Sequence, residues 1–151
     1  MLYKFEIFGR GVGRELENPM GYYRTTQAAK YVDPNAKLYE VWKGFIRDTF
    51  QSNFPDFKMP TIMKGRLNKV YVYGWLGRGL HIDDRFTLKT WIWFANDVRP
   101  DASNVTKGVA DALFDSDKQV LEQTMWYGYD KKNPRVLVEI EFTSTQQKLE
   151  I

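Results

Sequence analysis

The 151-residue chain reads as an α+β fold: a single domain over 1–151, with a small mixed β-sheet and two main helices packed against it. Two observations predict this. Strand-like and helix-like stretches alternate in the order strand–helix–strand–strand–helix–strand–strand, which suits helices laid on one sheet. The length and the 43% hydrophobic, 27% charged composition are those of an ordinary globular domain able to bury one core.

Each element has its own signal. Residues 2–8 set Tyr3, Phe5 and Ile7 against Leu2, Lys4 and Glu6, the two-residue period of a strand. Gly9–Gly13 then reads as a flexible turn without dinucleotide-binding spacing, and a polar loop follows. Residues 34–50 read as a helix. Pro34 suits its first turn, Leu38, Val41, Trp42, Phe45 and Ile46 form an apolar stripe, and Lys37, Glu40, Lys43 and Arg47 form a solvated side. Residues 69–75 and 86–94 read as strands joined by a Gly-rich turn carrying His81, with Trp91 and Trp93 on one face of the second. Ser103 is the expected N-cap of a short helix whose buried stripe is Val105, Val109, Ala112 and Leu113. Strands over 120–129 and 135–142 follow, then a frayed polar tail over 143–151.

Composition narrows the chemistry. With no cysteine, disulfides, thiolate metal sites and cysteine nucleophiles are excluded, and the single histidine, His81, excludes a multi-histidine zinc site within one chain. Absence of a long apolar run argues against a membrane partner, and the N-terminus reads as a strand rather than a signal peptide. A cytoplasmic location is expected, that of the bacterial host if a phage encodes the chain. A net charge of +3 is weak evidence for a polyanionic partner.

Residues 99–120 concentrate the candidate chemistry: Arg99, Asp101, Asn104, Lys107, Asp111, Asp115, Asp117 and Gln119 surround one helix. Hard divalent cations take oxygen ligands, often one or two carboxylates plus substrate phosphates, so acids here suggest Mg²⁺-dependent phosphodiester chemistry. Asp101 precedes the helix and Asp117 follows it, about 14 Å apart along nine residues. They converge only if the strand after Gln119 lies close to the end of the strand that finishes at Phe94. The plainer reading makes Asp101 a companion of the helix dipole and Lys107–Asp111 an exposed i,i+4 pair.

Asp101-Ala-Ser103-Asn104, Lys107, Asp111-Ala-Leu113 and Ser116-Asp117-Lys-Gln119-Val120 together resemble the RusA family of Holliday junction resolvases, phage-associated endonucleases that cut four-way DNA junctions. The family pattern runs Asp-x-Asp-Asn, then Lys three residues on, Asp-Ala-Leu, and Asp-Asp-x-Gln-Val. The resemblance implies a homodimer acting on branched DNA, with Asp101 and Asp117 binding Mg²⁺ or Mn²⁺ and Asp115 as a further ligand candidate. It also implies that Lys107 neutralises the scissile phosphate and that Arg24, Lys30, Arg99 and Asn104 contact DNA. Ser103 stands where the pattern has an aspartate, and Ser116 replaces the first of the later acid pair. Three readings stay open: Asp115 or Asp97 supplies the missing carboxylate, the site takes metal only with phosphate oxygens, or the chain is a DNA-binding or interaction protein with a vestigial site.

Overall fold

The computed structural model describes residues 2–24, 32–55, 71–72, 80–81, 85–114 and 120–143. Among them, β1 (Leu2–Phe8), β6 (Arg135–Thr143), β4 (Arg85–Phe94) and β5 (Val120–Tyr129) form a four-stranded mixed sheet in the order β1-β6-β4-β5. β6 runs antiparallel to both β1 and β4, whereas β4 and β5 are parallel. β2 (Tyr71–Val72) and β3 (Leu80–His81) pair separately. The helices are α1 (Pro34–Asn53) and α2 (Ala102–Leu113). The fold is α+β.

Alternation decides which face of the sheet the helices cover. Tyr3, Phe5 and Ile7 of β1, Phe86, Leu88, Ile92 and Phe94 of β4, and Val136, Val138 and Ile140 of β6 are buried in one cluster with both helices. Trp91 and Trp93 occupy the opposite face, where Trp91 stacks on Trp126 at 4.9 Å and Arg135 lies over Trp93. Parallel strands need a crossover, and α2 provides it between β4 and β5. Its buried residues include Val105, Val109, Ala112 and Leu113, as the spacing predicts, joined by Thr106 and by the small residues Ala102, Gly108 and Ala110. The Thr106 hydroxyl meets that of Thr90 at 2.8 Å, so the polar pair between helix and sheet is satisfied.

Several expectations need correction. α1 starts at Pro34 behind an Asp33 N-cap that accepts from the Asn35 amide, but it continues to Asn53. Its buried positions are Ala36, Tyr39, Trp42, Ile46 and Phe50. Leu38 and Val41 are 40% and 70% exposed, because Tyr39 and Phe50 offer larger rings to the core and rotate the helix toward them. Phe50 packs edge-on against Phe5 at 5.5 Å. The side of α1 read as solvated partly faces α2: Arg47 donates to the Ala112 carbonyl, and Lys43 pairs with Glu40 and Asp111. His81 belongs to a strand rather than a turn. Of the expected strand 69–75, only Tyr71–Val72 lies among the described residues. Thr143, assigned to the tail, ends β6, and 144–151 lie outside the described residues.

Candidate active site at the end of β4

The chain leaves β4 at Phe94 and reaches α2 through a segment held from the other side of the molecule. Asn18, 8% exposed, accepts from the Ala95 amide at 2.6 Å and donates to the Val98 carbonyl at 2.7 Å and to Asn96 Oδ1 at 3.1 Å. Arg10 Nε donates to the Asn18 carbonyl, fixing the anchor itself. Residues after Asn18 then run across the start of α2, where the Tyr22 amide donates to the Asn104 carbonyl at 2.9 Å. The approach is close enough that a Cβ on Gly21 would stand 2.8 Å from Pro100 Cβ. One on Gly108 would stand 3.3 Å from the Tyr22 nitrogen.

This crossing arranges the candidate residues. Asp101 is the N-cap of α2, not Ser103, which lies exposed within the first turn. The Asp101 carbonyl accepts from the Asn104 and Val105 amides, while its exposed carboxylate makes no capping bond. A carboxylate at a helix N-terminus, uncommitted to the helix, is available to a cation or to a water molecule. Lys107 stands six residues further on, roughly one and two-thirds turns along α2, its ammonium 4.2 Å from the centre of the Tyr22 ring. That contact fixes the direction of a flexible side chain that spacing alone left undetermined. Arg24 and Asn104 are exposed on the same segment and helix face.

Arg99 is held more tightly. Its guanidinium lies 4.6 Å from the ring centres of Phe94 and Tyr127 and 5.8 Å from that of Tyr129. Nε donates to the Tyr129 hydroxyl at 3.0 Å, and a terminal nitrogen donates to the Pro100 carbonyl. The bond to Tyr129 raises the Arg99 pKa above its ordinary value. Sequence reasoning had named Arg99 but missed Tyr127 and Tyr129. Their signal was present in the parallel pairing of β5 with β4, which only the topology reveals.

Asp111 departs from the expected exposed pair with Lys107. It accepts from the buried Tyr39 hydroxyl at 2.7 Å and lies 3.5 Å from Lys43, joining α2 to α1. Burial, followed by the Asp111 bond, raises the Tyr39 pKa far above the ordinary tyrosine value. Tyr39 in turn packs edge-on against Tyr22 at 5.7 Å, so the support of Lys107 extends into the core.

Asp115, Asp117 and Lys30 lie outside the described residues. The described strands that flank 115–119 still bear on convergence. β5 lies along β4, but Val120 stands beside Phe86, and only Tyr129 reaches Phe94. Eight residues of strand separate those ends, about 26 Å at roughly 3.3 Å per residue. The end of α2 and the start of β5 are therefore at the opposite end of the parallel pair from Asp101. Among the described residues, no three His, Cys, Asp or Glu side chains are grouped to hold a metal. A cleft of about 620 Å³ opens elsewhere, lined by Lys4, Glu6, Phe8, Val12 and Phe45 at the β1 edge, and contains none of the candidate residues. No helix among the described residues is long and apolar enough to cross a membrane. No known family model and no curated protein matches the chain.

Proposed function

We propose that the chain is a RusA-like, metal-dependent endonuclease that cuts branched DNA as a homodimer. The observation that carries this reading is the Asp101 carboxylate at the start of α2, with two cations, Arg99 and Lys107, each oriented by aromatic rings nearby. Arg99 offers fixed donors to a phosphate, and Lys107 offers charge where the scissile group becomes more negative. Arg24, Lys30 and Asn104 extend the DNA contacts, which set position rather than sequence. A bound Mg²⁺ or Mn²⁺ supplies an acidified water and charge neutralisation. Asp101 suits such a hard cation, whose remaining ligands come from phosphate oxygens, water, and Asp117 with Asp115.

The edge of the sheet supports the homodimer. β5 carries Glu122 as its one charge in ten residues and exposes Leu121 and Trp126 along a sheet edge with main-chain groups open to pairing. Two-fold pairing of two β5 edges is antiparallel and sets the start of one against the end of the other. Val120 of one subunit then stands beside the Tyr129 end of the other subunit's β5, the end of the parallel pair that carries Asp101.

A second reading is favoured by Ser103, which brings no charge, and by the parallel register of β4 and β5. On it the chain binds DNA without cutting. An end-labelled four-way junction, beside matched linear duplex, with Mg²⁺, Mn²⁺ or EDTA, separates the two. Nicks confined to the junction and lost in EDTA and in Asp101→Asn support the nuclease. Salt-sensitive junction binding without metal-dependent nicks leaves the second reading.

A further inference from the structure

We infer that Tyr127 and Tyr129 form a stacking platform for an unpaired nucleobase, with Arg99 and the following turn holding its backbone. This rests on the branched-DNA reading and names the part of such a substrate that the site grips. Both rings project from the helix-side face at the end of β5, with centres 6.4 Å apart and planes at 81°. They remain 56% and 50% exposed after all their packing. Exposed aromatic rings are costly to leave in water, and these stand against one fixed cation with two more in the turn that follows. Arg99 lies against both, and the β5–β6 turn carries Lys131 and Lys132, both exposed, immediately after Tyr129. That turn is fixed to the same strand end by the Asp130 amide bond to the Phe94 carbonyl at 2.9 Å.

Rings flanked by backbone-neutralising cations are the chemistry of single-strand recognition, where each base offers a π-face whatever its identity. A paired duplex keeps its bases stacked on one another and offers no such face. The platform therefore selects DNA with a base free to leave its stack, as at the crossing of the arms of a junction. Pairing of β5 with another copy uses main-chain groups at the strand edge, whereas the rings stand out from the sheet face, so dimer and platform are compatible.

The test measures fluorescence anisotropy in EDTA, so that no cleavage intervenes. The probes are a fluorescein-labelled fifteen-nucleotide oligo-dT, a fifteen-base-pair duplex and an immobile four-way junction. The double variant Tyr127→Leu/Tyr129→Leu is expected to weaken oligo-dT and junction binding at least about tenfold while leaving duplex binding within about twofold. Tyr127→Phe, which keeps the ring and leaves the Tyr129 bond to Arg99 in place, retains the wild-type oligo-dT affinity. Independently of any variant, a 5-iododeoxyuridine oligonucleotide irradiated with the wild-type chain should crosslink to Tyr127 or Tyr129 in mass spectra. Equal oligo-dT binding by the Leu variant, crosslinks confined to other residues, or junction binding without oligo-dT binding each overturn the platform and leave the junction reading standing. A wild-type chain that binds none of the three probes at low salt overturns the branched-DNA reading, and the platform with it.

Discussion

Removing the Asn18 side chain should loosen the segment that carries Arg99 and Asp101 from the rest of the fold. Its carboxamide makes three hydrogen bonds, to the Ala95 amide, the Val98 carbonyl and Asn96 Oδ1, from a position 8% exposed. At about 1 kcal/mol per bond, with Ala95 N–H and Val98 C=O then short of a partner, Asn18→Ala should cost about 2–4 kcal/mol. For a domain of this size, each kcal/mol lowers the melting temperature by roughly 2–4 °C, so a fall of about 4–16 °C is expected. Urea unfolding followed by tryptophan fluorescence measures the loss, with an unchanged slope if the unfolded state is unaffected. The double variant with Asn96→Ala should show a coupling above about 0.5 kcal/mol, because the two amides share one network. A single-variant loss under about 0.5 kcal/mol, the size of an ordinary surface change, would refute the anchor.

Gly21→Ala should cost about 1–3 kcal/mol by the same unfolding measurement, since its methyl would press on the Pro100 ring and cannot be relieved by a flexible side chain. Tyr39→Phe removes the bond to half-exposed Asp111 and should cost about 1–2 kcal/mol, again read from urea midpoints. The Asp33 carboxyl, held below its ordinary 3.8 chiefly by the Tyr23 hydroxyl, contributes stability fully present above that value and lost as pH falls through its lowered folded-state pKa. Tyr23→Phe should move the Asp33 carboxyl titration upward in NMR, and an unmoved titration would show that the hydroxyl is not the cause. Lys107→Ala should slow junction cleavage on the order of 10²–10³-fold, while Ser103→Asp should raise it if charge is what the metal site lacks. A Ser103→Asp rate equal to wild type would place the defect elsewhere.

The sheet was legible wherever one face is dry and the other wet. β1 and β4 alternate without a fault, because a two-residue period survives any arrangement of neighbours, and Val120–Tyr129 falls where the sequence places it although its burial does not alternate. The buried face of α1 was legible at Trp42 and Ile46 but not beyond them, since Leu38 and Val41 satisfy the same spacing as Tyr39 and Phe50, and only the facing sheet decides between them. Ser103 looked like a cap because its side chain is a capping type, but the backbone turns at Asp101, where the constraint is Pro100 pressed against Gly21. Arg99, Asp101, Asn104 and Lys107 share a short run and could be singled out together. Tyr22, Tyr127 and Tyr129 come to them through a loop crossing and a parallel pairing, neither of which leaves a local trace.

The pairing of β1 has a consequence for how the molecule is made. Among the described strands, β1 bonds only to β6, with Leu2 opposite Glu141, so partners are separated by nearly the whole chain. β4, α2, β5 and β6 are contiguous and close small loops, whereas joining β1 to them closes a very large one. A ribosome therefore releases Tyr3, Phe5 and Ile7 long before their strand partner exists, and the open edges of that apolar strand must be kept from other chains until Arg135–Thr143 emerges. Of the described strands of the four-stranded sheet, the one made earliest waits longest for its partner.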